Sequence, residues 1–334
     1  MRILTLIGKR LLAAIPVLLM LTAVVFVLQK LSGINPARAE LKGGASEASL
    51  QQLEHQLWLD RSLPLQYLHY LDQLILHGSL GTSVRTLRPV TSTLATAIPA
   101  TVELAFCAAV LVLILSLLFG LTAALASRGS SILRFVMIAG ASAPVFLLAI
   151  GGIYIFYGKL HWLPASGRSS YANAPTGPTG FLLIDSLLAE RPAVFVDALE
   201  HLILPAIAIA LVAAVAVGRV LRSSLSESLA ADYTRTARSK GLSDWGIVIK
   251  HTLRNSLTAP LAMTGLQFGL MFAGVVVVES IFAWPGIGNY AAESIPVNDF
   301  PAIAGVTLVI GFAYIMINVV VDILQAIADP RIKL

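Results

Sequence analysis

The chain reads as an all-α membrane protein of six transmembrane helices, and three observations predict it. Of its 334 residues 57% are hydrophobic and 12% charged, half the roughly 25% that a solvated surface carries. Six stretches, roughly 11–29, 101–126, 133–157, 202–221, 262–282 and 303–323, are apolar over about the 20 residues that cross a hydrocarbon core. The basic residues also collect on alternate connections between those stretches.

The first unit, 1–30, is an N-terminal span behind Arg2, Lys9 and Arg10. Ala37-Arg38-Ala39 offers a small-x-small cleavage pattern, but the apolar run exceeds the 7 to 15 residues of a signal peptide, so the span is read as retained. The second unit, 31–100, is an extracytoplasmic loop. Ala48 to Leu57 and Leu65 to Leu76 have helical apolar spacing broken by Pro64, which predicts two short amphipathic helices, packed on the bundle or lying on the membrane.

The third unit, 101–334, is a five-helix core with a second extracytoplasmic loop, 158–201, and a cytoplasmic loop, 222–260. Pro164, Pro175, Pro178 and four glycines between 158 and 180 predict irregular chain there, with a short helix near 181–189. Gly151-Gly152 and Gly265-x-x-x-Gly269 predict close helix approaches.

Orientation follows from charge. With both termini inside, the inner segments hold fourteen of the 23 basic residues against four carboxylates, Glu227, Asp232, Asp244 and Asp329; the outer segments hold nine against eleven. This asymmetry predicts N-in and C-in and sets nucleic acid aside as a partner.

Several chemistries have no motif. The sequence carries neither a Gly-x-x-x-x-Gly-Lys-Ser/Thr phosphate loop nor a Gly-x-Gly-x-x-Gly turn. Its six histidines are scattered over loops without a His-Glu-x-x-His pair, and lone Cys107 permits neither an intrachain disulfide nor a cysteine zinc site, so no catalytic or metal residue is expected. Glu103, Glu279 and Asp322 lie within about a turn of a span end, where they read as interfacial anchors or local pairs rather than as a proton path.

The most informative segment lies between the fourth and fifth spans. From Glu227 to Asn255 it reads helix, turn at Gly241 to Ser243, helix, with Ser243 or Asp244 capping the second helix and Gly241 ending the first in a left-handed conformation. Its five basic residues from Arg235 to Arg254 fit either anionic lipid or a cytoplasmic partner.

Asp232-Tyr-Thr-Arg-Thr-Ala-Arg-Ser-Lys-Gly-Leu242, followed by His251-Thr-Leu-Arg-Asn255, resembles the "EAA" loop of ABC importer permeases in the dipeptide/oligopeptide/nickel group. Arg235, Thr236 and Ala237 stand where many importers have Glu-Ala-Ala. The likeness continues through Pro99-Ala-Thr-Val-Glu-Leu104, Trp162-Leu-Pro-Ala-Ser-Gly-Arg168, His201-Leu-Ile-Leu-Pro205, Glu279-Ser-Ile-Phe-Ala-Trp-Pro-Gly-Ile-Gly288, Asp299-Phe-Pro301, Asn318, Asp322 and Asp329-Pro-Arg-Ile332. Two places depart from the pattern: Asn35-Pro36 where many relatives have Asp-Pro, and Gly78-Ser79-Leu-Gly81 where they have Gly-Asp-Leu-Gly.

The resemblance implies a type I permease fold in a bacterial cytoplasmic (inner) membrane. It implies a second homologous permease subunit, two cytoplasmic ABC ATPases and an extracytoplasmic solute-binding protein, with ATP and Mg held by the ATPases and no cofactor on this chain. It places ATPase coupling on Arg235, Thr236, Ala237, Gly241, Leu242 and His251, with Arg238 and Lys240 as rim charges. The translocation path is expected among spans two to six, where Ser142, Thr264, Gln267 and Asn318 supply the mid-span polar groups.

Thr179-Gly-Phe-Leu-Leu-Ile-Asp185 and Phe195-Val-Asp-Ala-Leu199 resemble dipeptide-type members. The expected function is therefore ATP-driven uptake of di- or oligopeptides. A nickel or metal-chelate importer of the same family, and a proton-coupled carrier, are the alternatives.

Overall fold

The computed structural model describes residues 2–33, 35, 37–38, 41, 46–124, 140 and 143–328. Its order is α1 (Arg2–Leu31), α2 (Glu47–Gln56), α3 (Leu63–Leu76), α4 (Val90–Ala124), α5 (Val145–Gly152, continued by a π-helical stretch to Lys159), α6 (Leu182–Leu188) and α7 (Pro192–Ala230). These are followed by α8 (Asp232–Ser239), α9 (Asp244–Ile247), α10 (Thr258–Ile281), α11 (Ile287–Ser294) and α12 (Phe300–Ala328). No strand occurs among the described residues; one bridge pairs Thr82 with Pro89.

Five helices are long and apolar enough to span: Leu12–Leu31, Val90–Thr122, Pro192–Ala230, Thr258–Ile281 and Phe300–Leu324. Of the third expected span, 133–139 and 141–142 lie outside the described residues, and Val145–Lys159 is a shorter apolar helix.

The second and fourth spans begin earlier than hydropathy indicates, at Val90 and Pro192, so the two outer loops are shorter than expected. Pro99 and Pro205 sit inside these helices, and Asp197 and His201 lie in the polar first turns of α7. Apolarity ends before the helix does, because those polar side chains find partners in the protein. His201 Nδ1 lies 2.8 Å from the Asp197 carbonyl, and Asp197 accepts from Ser169 Oγ at 2.6 Å.

α7 is the central post: 72% of its most apolar window is buried, against 17% for α1. Alanines on facing turns, Ala100 and Ala108 of α4 with Ala206, Ala210 and Ala213 of α7, let the two backbones approach. A Cβ on Gly218 would stand 2.9 Å from that of Phe119, so only glycine fits that crossing. Gly265 likewise faces Val321 and Gly269 faces Tyr314, as the spacing predicts; Gly152 meets Leu204, while Gly151 has no atom near it.

The short helices follow their sequence signals. α2 starts at Ser46, whose side chain accepts from the Ser49 amide, and α3 carries Pro64 in its first turn. Pro64 thus begins the second amphipathic helix, where its missing N–H costs nothing. Tyr67 binds α3 to α1, its hydroxyl lying 2.9 Å from Thr22 Oγ1 and 3.1 Å from the Leu19 carbonyl.

Arg10 pairs with Asp322 at 2.7 Å, which puts the start of α1 beside the end of α12. The Gly265–Val321 contact places this end alongside the start of α10, so both helix termini share one end with α8 and α9.

Candidate functional site

The segment from α8 to α10 forms a compact platform at that end. α8 begins after extended Ala231, with Asp232 in its first turn where the helix dipole favours negative charge. Buried Thr234 donates its hydroxyl to the Ser228 carbonyl at 2.9 Å, tying α8 to the end of α7. The Leu242 amide reaches the Ala237 carbonyl at 3.4 Å and the Gly241 amide the Arg238 carbonyl at 3.0 Å. Gly241 has φ of +81° with no atom within 4 Å of where a Cβ would stand, so backbone conformation rather than crowding requires glycine. Ser243 then caps α9, accepting from the Gly246 amide at 3.2 Å.

Beneath the platform Leu221, Leu225 and Val248 form an apolar cluster joined by Leu121, Leu229, Leu253 and Leu257. Ser256 Oγ lies 2.8 Å from Ser228 Oγ and within reach of the Ser224 carbonyl, so the return into α10 is bound to α7 as well.

Arg235, Thr236, Arg238, Lys240, Gly241, Leu242 and His251 are exposed on this platform, whereas Ala237 is buried. Ala237 therefore anchors α8 instead of facing outward. Arg238 holds Asp244 at 2.9 Å across the turn, which bridges α8 and α9. Sequence reasoning missed the apolar part of the surface: Tyr233, Trp245 and Ile249 stand 43%, 53% and 51% exposed beside Leu242. Large apolar side chains within an otherwise charged helix pair were the available signal, and together they make a surface suited to a protein partner.

Of the expected path residues, Ser142 lies outside the described residues. Thr264 is buried, with its hydroxyl donated to the Pro260 carbonyl at 2.8 Å; Asn318 donates to the Tyr314 carbonyl at 2.8 Å; Gln267 is half-buried. Thr264 borders a cavity of about 1040 Å³ between α1, α4, α10 and α12, while Gln267 and Asn318 do not. The structure does not gather these residues into one lining.

The opposite end is a dense polar frame. Glu279, fully buried at the end of α10, accepts from Thr101 Oγ1 at 2.7 Å and from the amides of Gly288 and Asn289 at 2.7 and 3.1 Å, so it receives the start of α11. Trp284 donates its indole N–H to the Ala100 carbonyl at 2.9 Å. Glu103 pairs with Arg168 at 2.6 Å and accepts from the Leu183 amide at 2.8 Å. Asp299 accepts from Ser83 Oγ and from the Arg85 amide. The carboxylates of Glu103 and Glu279 are thus internal links: of the two readings, interfacial anchors or local pairs, the structure supports the second.

Apolar spans around a buried central helix, with an amphipathic helix pair presented at one end, define an integral membrane protein. Residues 116–334 match the family model described as binding-protein-dependent transport system inner membrane component, and residues 3–105 match its N-terminal companion. The chain is 42% identical to the probable D,D-dipeptide transport system permease protein DdpB of Escherichia coli, covering 92% of each chain. It is 38% identical to the di/tripeptide transport system permease protein DppB of Pseudomonas aeruginosa over 99% of both. It is 36% identical to the dipeptide transport system permease protein DppB of Alkalihalophilus pseudofirmus over 97% of this chain and 98% of that one. The chain belongs to the binding-protein-dependent transport system inner membrane component family, the permease subunits of ABC importers. It is a multi-pass inner-membrane transport subunit, not an enzyme.

Proposed function

We propose that this chain is one of two homologous membrane subunits of an importer that moves di- or oligopeptides inward. The observation that carries the substrate is the similarity, over nearly the whole chain, to three permeases named for dipeptides or di/tripeptides. The termini face the cytoplasm with six spans between them. Exposed Arg219, Arg222, Arg235, Lys240, Lys250 and Arg254 on the platform end support this orientation.

The platform is the coupling surface. Arg235, Thr236, Leu242 and His251, joined by Tyr233 and Trp245, enter a groove of a cytoplasmic ATPase, of which two serve the pair. ATP and Mg are held there. Closure of the nucleotide dimer pushes α8 and α9, and the apolar cluster beneath passes that displacement to α7 and α10. An extracytoplasmic binding protein delivers the peptide at the polar frame, and the path runs between the two subunits past Gln267 and Asn318.

The test is uptake of a labelled dipeptide by cells with and without this chain, with excess unlabelled peptide or nickel as competitor. Chain-dependent uptake blocked only by peptide is the expected result. Chain-dependent nickel accumulation without peptide uptake overturns the substrate and keeps the architecture.

A further inference from the structure

One face of α1 looks onto a continuous groove. Its inner stretch is the 1040 Å³ cavity, bordered on α1 by Ile15, Leu18, Leu19 and Thr22. Its outer stretch, about 400 Å³, is bordered on the same helix by Phe26, Gln29 and Lys30. Those positions recur at three- and four-residue intervals, one stripe of a helix about 22 Å long from Ile15 to Lys30. Leu80 walls both chambers, and Ala304 of the outer one is followed by Gly305 of the inner one.

The chambers differ in chemistry. Three threonines are the polar residues on the inner wall, and each hydroxyl is already donated: Thr22 to the Leu19 carbonyl, Thr101 to Glu279 and Thr264 to the Pro260 carbonyl. No hydroxyl there has a proton left to donate to a peptide or to water. Protein interiors pack to crystal-like density, so an apolar space of this size within the spans takes up hydrocarbon.

The outer wall carries Lys30, whose ammonium stands 5.4 Å from the Phe26 ring centroid, and no carboxylate. No acid lies within ion-pairing distance of Lys30 among the described residues. The Tyr70 hydroxyl and Gln66 Oε1, both buried on this wall, have no hydrogen-bond partner in the protein. Burial, followed by the neighbouring Tyr67, pushes the Tyr70 phenol up to about 12, so it stays a donor at any physiological pH. Ser79 also borders this chamber and brings no charge to it.

We propose that this groove holds one anionic phospholipid, its phosphate at Lys30 and Tyr70 and an acyl chain in the apolar chamber, so that lipid mortars α1 to α4 and α12. Lys30 lies at the end of its span, at the depth of the headgroups. A soluble anion would satisfy the outer chamber but leave the inner one unfilled; a neutral alkane would do the reverse. The inference is independent of which substrate the transporter carries.

The test uses the assembled transporter in vesicles of phosphatidylethanolamine and phosphatidylglycerol, without substrate or ATP. Each lipid is supplied in turn with a photoactivatable acyl chain, and the labelled residues are mapped by mass spectrometry. Phosphatidylglycerol is expected to label Leu18, Ala109 and Leu308 of the groove above the outward-facing Leu266 and Leu270 of α10. Lys30→Gln is expected to lower groove labelling by phosphatidylglycerol about fivefold, the worth of one lysine near an anionic surface, and to leave labelling by phosphatidylethanolamine unchanged. Ala109→Phe, which narrows the inner chamber, should lower groove labelling by both lipids alike.

Labelling no stronger in the groove than at Leu266 and Leu270, or indifferent to Lys30→Gln, overturns the proposal. So does a groove left unlabelled because a partner-subunit helix occupies it.

Discussion

The two ends of this molecule are held by opposite means. At the end bearing α11, buried carboxylates tie together segments far apart in the chain: Glu103 to Arg168, Glu279 to Thr101 and the start of α11, Asp299 to Ser83. At the platform end the internal bonds are mostly local, both close ion pairs, Arg238 to Asp244 and Arg10 to Asp322, have an exposed arginine, and leucines supply the attachment. A buried charge pair resists being pulled apart because either partner alone is costly, whereas an apolar cluster tolerates sliding. The first end is thus the more rigidly tied and the second the more yielding.

Four substitutions probe that contrast, in order of expected effect on stability. Arg168→Ala strands the buried Glu103 carboxylate and should cost about 3–5 kcal/mol, seen as a large fall in the thermal midpoint of the purified complex. Adding Glu103→Gln should recover part of that loss; no recovery would mean that packing, not charge, dominates the frame. Glu279→Gln leaves one oxygen where three donors converge and should cost about 1–3 kcal/mol by the same measurement.

Gly241→Trp forces a side chain into a left-handed backbone at about 1–2 kcal/mol. The protein should still reach the membrane while substrate-stimulated ATP hydrolysis and uptake are lost; normal uptake would sink the coupling assignment. Trp245→Ala, at an exposed site, should move stability by no more than about 0.5 kcal/mol yet weaken capture of the ATPase in a pull-down from detergent. If Trp245→Ala destabilised as much as Arg168→Ala, the two ends would not differ as described.

Local signals in the sequence were sound where local physics decides. The apolar spacing of 48–57 and 65–76 matches helices at Glu47–Gln56 and Leu63–Leu76, and the proline-rich second loop contains its short helix at Leu182–Leu188. Gly241 and Ser243 mark the turn of the platform because both act through neighbouring backbone. The polar frame was illegible for the converse reason. Thr101 and Glu279 are 178 positions apart and Ser83 and Asp299 are 216, and no periodicity links such residues. Hydropathy also started the second and fourth spans too late; at the fourth it registers Asp197 and His201 as polar without registering that both are already satisfied.

The length of α7 has a mechanical meaning. Its 39 residues make a rod about 58 Å long, nearly twice the thickness of the hydrocarbon core. At one end it carries Asp197, which is bound to the second outer loop through Ser169, and at the other Ser228, which is bound to Thr234 and Ser256. Along its length Pro205 is the one interior residue without an amide hydrogen to give. The His201 carbonyl, which Pro205 cannot meet with an amide hydrogen, is where the ladder of α7 is interrupted, so bending between its two tied ends concentrates there. α7 is thus one strut fastened at both ends, with its point of flexure in the third of its length nearer the loop that carries Ser169.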